Sequence, residues 1–158
     1  MAEVLVAYAT KMGSTKEIAE AIGERIRAAG HSVTVLPAGE VRSLDRYSAV
    51  VLGSALYATR WRGDAVKLLK RLSGKKVWLF HSGPLGKDLS PQKAPAKVRR
   101  LAARVGTEAP TTFPGRLEAK TAKGFIARKM AQGEMAGDYR DWDAINAWAD
   151  QIAAHVTG

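Results

Sequence analysis

The sequence predicts an α/β domain, a parallel sheet covered by helices on both faces, occupying residues 1–158 as one unit. Three observations carry that prediction. Val4–Ala9, Ala49–Leu52 and Val77–Phe80 are apolar throughout, the pattern of strands buried on both faces of a sheet. Amphipathic stretches with helical spacing separate these runs, so strands and helices alternate as in right-handed crossover units. A chain of 158 residues that is 46% hydrophobic has enough apolar surface for one full core and no room for a second domain.

The first run, Val4–Ala9, stops at a hydroxyl-rich loop, Thr10-Lys11-Met12-Gly13-Ser14-Thr15. A helix follows, with Ile18, Ile22 and Ile26 on one face and Lys16, Glu17, Glu20, Glu24 and Arg25 elsewhere. Its start offers unpaired N–H groups and the positive end of the helix dipole, and the hydroxyls of Thr10, Ser14 and Thr15 surround Gly13. Together these make a cradle suited to a phosphate monoester. Taken alone, the loop is equally well read as a plain helix cap with a turning glycine. It has neither the Walker pattern nor Gly-x-Gly-x-x-Gly, which argues against a nucleoside triphosphate or a dinucleotide. Gly30 ends the helix, and Val33, Val35 and Leu36 form a second strand closed by Pro37. Val41–Tyr47 reads as a brief helical or irregular crossover, and the third strand, Ala49–Leu52, breaks at Gly53-Ser54.

The second loop, residues 53–63, lies at the carboxyl ends of the strands, where ligands bind on such sheets. Tyr57 and Trp61 are suited to covering a flat ring, and Arg60 and Arg62 make the loop basic. The alternative for Trp61 is a core anchor at the start of the next helix. That helix spans Ala65–Leu72, with Val66, Leu69 and Leu72 inward, and Gly74 ends it. The fourth strand runs into a third loop, His81–Gly86, whose glycines expose backbone N–H groups; His81 reads as a structural, hydrogen-bonded histidine. Pro91 and Pro95 introduce a helix over Val98–Val105, and Thr111–Phe113 is the fifth strand. A basic amphipathic excursion at about 117–139 interleaves Phe125, Ile126, Met130 and Met135 with Lys120, Lys123, Arg128 and Lys129. Such a segment suits an anionic membrane, the edge of a bound ring, or simple packing on the domain. The last helix, Asp141–Val156, is capped by Asp141 and turns Ile145, Trp148, Ala149 and Ile152 to the sheet.

The formal charge of +10 points to an anionic partner. From Arg60 to Arg104 there are thirteen Lys or Arg against only Asp64 and Asp88, so the excess is local. The basic residues lie on helix faces without aromatic interleaving, zinc-finger spacing or an RNA-binding signature, which argues against nucleic acid. Without cysteine there is no disulfide, thiolate nucleophile or cysteine-ligated cluster, so redox work requires a bound cofactor. The three histidines lack metal-ligand spacing. No 18-residue apolar run and no signal-peptide pattern occur, which points to the cytosol.

In this order, Thr10–Thr15, Ser54–Trp61 and Ser82–Gly86 resemble the three FMN-binding loops of the flavodoxin family. The first is a variant of that family's Thr-x-Thr-Gly-x-Thr with Lys11-Met12 in its middle. The resemblance covers the whole chain and implies a flavodoxin-like three-layer sandwich, with a five-stranded parallel sheet in the order 2-1-3-4-5. It implies FMN as cofactor, with Thr10, Lys11, Met12, Gly13, Ser14 and Thr15 around the phosphate. Ser54, Ala55, Leu56, Tyr57 and Trp61 on the second loop, and Ser82, Gly83, Pro84, Leu85 and Gly86 on the third, would flank the ring. Val50–Leu56, Pro114-Gly115-Arg116-Leu117 and Asp138-Tyr139-Arg140-Asp141-Trp142-Asp143 resemble the menaquinone-dependent protoporphyrinogen oxidase branch. That branch implies two-electron oxidation of a porphyrinogen with a quinone as acceptor, at the inner face of the membrane. Arg60, Arg62 and Arg116 are then the candidates for holding the anionic substrate. No catalytic acid or base is assigned, because the flavin carries the chemistry. The alternatives are an electron-transfer flavodoxin with no substrate of its own, and an FMN-free binding module acting through its basic surface.

Overall fold

Five parallel strands form the middle layer of the computed structural model, which describes residues 2–10, 13–57, 60–83, 93–113, 116–117, 137–138 and 140–157. In chain order the elements are β1 (Glu3–Ala9), α1 (Ser14–Ala28), β2 (Ser32–Pro37), a single 3-10 turn (Ala38–Glu40), β3 (Ala49–Tyr57) and β4 (Arg60–Trp61). There follow α2 (Gly63–Leu69), β5 (Lys76–Ser82), α3 (Ala96–Val105), β6 (Thr111–Phe113), β7 (Arg116–Leu117), β8 (Gly137–Asp138) and α4 (Trp142–His155). The sheet order is β2-β1-β3-β5-β6, every neighbouring pair parallel, and β4 folds back antiparallel on β3. With that hairpin strand set aside, the order is the expected 2-1-3-4-5.

The apolar runs are continuous because consecutive residues enter different cores. Val4, Val6, Tyr8, Val51 and Phe80 pack under α1 and α4, while Leu5, Ala7, Val50, Leu52 and Leu79 pack under α2 and α3. Both cores are needed for the sheet to be dry on each side. α1 begins where β1 ends, so the loop between them opens at the carboxyl edge of the sheet.

Three expectations are corrected. β3 does not break at Gly53: it runs on to Tyr57, paired with β1 as far as Ser54 and with β5 as far as Ala55. Gly53 is there because a Cβ at that position would overlap the Phe80 ring, so the glycine marks a close approach inside a strand. Beyond it the chain doubles back, Leu56 opposite Trp61 and Tyr57 opposite Arg60, and the expected second loop is largely a hairpin. α2 starts at Gly63 and ends at Leu69, with Leu72 buried just beyond it. Val41–Tyr47 keeps the irregular one of its two expected readings, with the 3-10 turn preceding it. β5 likewise includes His81 and Ser82, leaving the third loop to begin at Gly83.

Of the excursion expected at about 117–139, residues 118–136 and 139 lie outside the described residues. Its two ends meet in a short antiparallel ribbon, Arg116 opposite Asp138 and Leu117 opposite Gly137. Among the described residues, no helix is long and apolar enough to cross a membrane.

α1 and α4 are joined by a two-pronged ion pair: Arg25 Nε donates to Asp150 Oδ1 at 3.0 Å and Arg25 Nη2 to Asp150 Oδ2 at 2.6 Å. The hydrogen bond from Arg25 holds the Asp150 carboxyl below its ordinary value of 3.8. A carboxyl depressed in the folded state contributes stability that is present above the ordinary value and is lost as pH falls through the folded one. Asp150→Asn should therefore lower the neutral arm of a stability-against-pH curve and flatten the acid limb below about pH 4 by the same amount, a small one because the pair is exposed. Thermal melts of both proteins from pH 2 to pH 7 check this; an unchanged acid limb would contradict it.

Candidate functional site

The carboxyl ends of β1, β3 and β5 bring together the described parts of the three loops. At the first, Gly13 adopts a left-handed conformation (φ 89°), which a residue with a side chain reaches only with strain. That turn aims the start of α1 along the sheet edge. Gly13 N–H donates to Thr10 Oγ1 at 3.0 Å, so the Thr10 hydroxyl keeps its own proton to donate elsewhere. The first bond within the helix runs from Glu17 N–H to Gly13 O at 3.3 Å, leaving the N–H groups of Ser14, Thr15 and Lys16 without an acceptor in the helix. Among the described residues, no side chain caps this end. Ser14 is buried, and its Oγ is a buried side-chain oxygen with no hydrogen-bond partner.

An orphaned buried hydroxyl costs free energy unless something fills its hydrogen-bonding capacity. Here it stands among three free N–H groups at the positive end of a 15-residue helix, all of which suit an anion with several acceptor oxygens. The residues present therefore fit a phosphate monoester. Lys11 and Met12, in the middle of this loop, lie outside the described residues.

Hydrogen bonds connect the loops to one another. Thr15 Oγ1 and Ser82 Oγ are 2.8 Å apart and both residues are buried, joining the first loop to the end of β5. Arg62 N–H donates to Ser54 Oγ at 2.9 Å, and Ser54 Oγ donates to Ala55 O at 2.9 Å, which closes the β3–β4 hairpin. Gly83 lies against Leu56: a Cβ at Gly83 would meet that of Leu56 at 2.9 Å. Arg60 and Arg62 are exposed at the hairpin.

Trp61 is buried, 6% exposed, and its ring belongs to the core beneath α2 and α3. Its Nε1–H donates to His81 Nδ1 at 3.1 Å; His81, wholly buried, then holds its proton on Nε2, which faces Thr112 Oγ1 at 2.8 Å. This chain runs through β4, β5 and β6 and sets the hairpin's height against the sheet. His81 has the structural, hydrogen-bonded place expected of it, and Trp61 the core place that was its alternative reading. Tyr57 ends β3, but its side chain lies outside the described residues, as do Pro84, Leu85 and Gly86 and the side chain of Arg116.

One buried charged group at the site had no sequence signal. Arg140, its side chain 6% exposed, pairs with Glu17 in the first turn of α1 and lies over the Trp142 ring, 4.8 Å from its centroid. It ties the chain entering α4 to the helix that carries the anion cradle. No periodicity relates residues 123 positions apart.

A family profile described as flavodoxin domain matches residues 5–140. Among solved structures, a flavodoxin from the domain Archaea is 19% identical with a TM-score of 0.64, covering 99% of each chain. Flavodoxin 1 from Bacillus cereus is 14% identical with a TM-score of 0.63, covering 98% of this chain and 99% of its own. The rubredoxin oxygen:oxidoreductase of Desulfovibrio gigas is 16% identical with a TM-score of 0.65 over 98% of this chain, which spans only 36% of that protein. At these identities the structural likenesses speak for the fold.

Proposed function

The chain belongs to the flavodoxin domain family, whose members bind FMN, and from that premise we propose that residues 1–158 act as one FMN-binding unit that exchanges electrons with a redox partner. The observation that carries this reading is the buried, unpartnered Ser14 Oγ at the uncapped start of α1. Thr10, Gly13, Ser14 and Thr15 hold the phosphate, with Lys11 and Met12 completing the loop. Ser54, Ala55, Leu56 and Tyr57 on one side, and Ser82, Gly83, Pro84, Leu85 and Gly86 on the other, flank the ring. Trp61 acts through His81 by fixing the hairpin, rather than by covering the ring. Bound there, FMN supplies reversible electron transfer through its ring. The chain's own residues orient it, keep water from its phosphate and tune its potential.

At the level of substrate, the reading proposed is quinone-linked oxidation of an anionic porphyrinogen in the cytosol, at the inner face of the membrane. The motifs at Val50–Leu56, Pro114–Leu117 and Asp138–Asp143 support it, as do the exposed guanidiniums of Arg60 and Arg62 beside the site. Arg116 is the third candidate for the substrate carboxylates. An electron carrier with no substrate of its own is the second reading, favoured by the flavodoxins among the structural neighbours.

A visible-absorption titration with FMN tests the cofactor: saturable uptake of one equivalent is expected, and no uptake would reduce the cradle to a helix start. On the loaded protein, porphyrinogen oxidation with a menaquinone analogue separates the two readings. Enzyme activity that falls about tenfold or more when Arg60 and Arg62 are both changed to Gln supports substrate binding there. Absence of turnover leaves the carrier.

A further inference from the structure

The two helical layers differ in electrostatic character. Each cation of α1 has a carboxylate partner: Lys16 with Glu20, Arg25 with Asp150 and Arg27 with Glu24; α4 contains no Lys or Arg. On the opposite layer, the exposed Lys67 and Lys70 of α2 and its end, and the exposed Lys97, Arg100 and Arg104 of α3, have no carboxylate partner among the described residues. α3 has no acidic residue in its sequence. Like charges held on one face without neutralisation repel one another, a standing cost that a partner of opposite sign removes.

We propose that the outward face of the α2–α3 layer is the docking surface for an acidic electron-transfer protein. The proposal rests on the FMN reading above and names the partner of that same site. α2 begins immediately after the hairpin that carries Arg60 and Arg62, so the basic face is continuous with the rim of the cofactor site. A protein drawn to this face arrives beside the place where electrons leave. Charge complementarity of this kind mainly accelerates encounter and fixes orientation, as a short-lived redox complex requires.

Other anionic partners fit less well. Among the described residues, the large hydrophobic side chain that is exposed is Trp142, at 39%, and it lies at the start of α4 beneath Arg140. The α2–α3 face thus has charge without the apolar wedge that binding to a membrane surface combines with it. Neither α2 nor α3 carries an aromatic residue on which bases would stack.

The test titrates the 15N-labelled, FMN-loaded protein with a plant-type [2Fe–2S] ferredoxin as the acidic probe, following amide shifts at 50 and 200 mM salt. Shifts confined to α2, α3 and the hairpin are expected, with affinity falling about tenfold or more between the two salt concentrations. Changing Lys97, Arg100 and Arg104 together to Glu should weaken binding by a further tenfold or so, while Arg27→Gln on the other layer leaves it unchanged. Circular dichroism confirms that each variant is folded. Shifts on α1 or α4, or binding indifferent to the triple reversal, would overturn the proposal. So would binding to vesicles of phosphatidylglycerol and phosphatidylcholine with none to the ferredoxin. Because the shifts are read from the chain's amides, failure to take up FMN would remove the cofactor reading by itself and appear separately in the absorption titration.

Discussion

Ser14→Asp should raise the dissociation constant for FMN at least about 100-fold, close to 3 kcal/mol, while the flavin-free protein stays folded. The two halves of this expectation have one physical origin. The start of α1 presents N–H groups of Ser14, Thr15 and Lys16 that have no acceptor in the helix and the positive end of the helix dipole, with no side-chain cap among the described residues. A carboxylate placed there satisfies those groups from within and carries the sign that the dipole favours, so the empty site gains a counter-ion. The same carboxylate occupies the space and the donors that a phosphate needs, and it repels the dianion. Ser14→Ala separates hydrogen bonding from repulsion. It deletes one donor to a charged group, worth about 1.5–3 kcal/mol, so affinity should fall by roughly ten- to 100-fold. In the flavin-free protein it removes a buried hydroxyl that has no partner, so its melting temperature should hold or rise. Absorption titrations and thermal melts of the two variants decide the matter. A Ser14→Ala protein that is less stable when empty yet binds FMN as before would show that the serine serves the helix alone.

The parts of the fold and site that were legible in the sequence are those encoded locally. Val4–Ala9 is apolar at every position because a parallel strand covered on both faces has no wet side, and the two cores confirm that assignment residue by residue. The isoleucines at 18, 22 and 26 mark the buried stripe of α1, and Gly13 with its hydroxyl neighbours marks the turn before it. What was misread depends on partners distant in the chain. Gly53-Ser54 has the composition of a break, but β1 and β5 on either side hold the backbone extended, and the Phe80 ring fills the space over the glycine. Trp61 reads as a loop aromatic until His81, 20 positions away, gives its indole N–H an acceptor in the core. Arg140 and Glu17 meet only because α4 packs along α1. Propensity and periodicity report on neighbours in sequence; these contacts are set by which strands lie side by side.

Gly53 offers the sharpest check on that conclusion. Gly53→Ala is expected to destabilise the protein by about 3 kcal/mol or more, or to prevent folding, although alanine is the smallest possible addition. The new methyl would overlap the Phe80 ring, and that ring has nowhere to go. Phe80 is fully buried, with the Phe113 ring centroid 6.0 Å away and that of Trp148 5.8 Å away, themselves in contact at 5.5 Å. Moving it disturbs the packing of α4 and β6 together, and close-packed interiors transmit such displacement rather than absorb it. Gly23→Ala is the internal control. Its methyl would meet Val35 Cγ2 at 2.7 Å and Val33 Cγ1 at 3.5 Å, side-chain carbons of two half-buried residues rather than a fully buried ring met at 2.0 Å. The helical position also gains about 1 kcal/mol of propensity from alanine, which offsets part of the clash, so the loss there should be well below that at Gly53. Combining Gly53→Ala with Phe80→Leu completes the argument: the double variant should lose less than the sum of the two single losses, because the second change removes the ring that the first one strikes. Denaturant melts of the three proteins measure the coupling. Strict additivity would mean that Gly53 is required for some reason other than Phe80, and β3 would not owe its passage through that glycine to the ring on its neighbour.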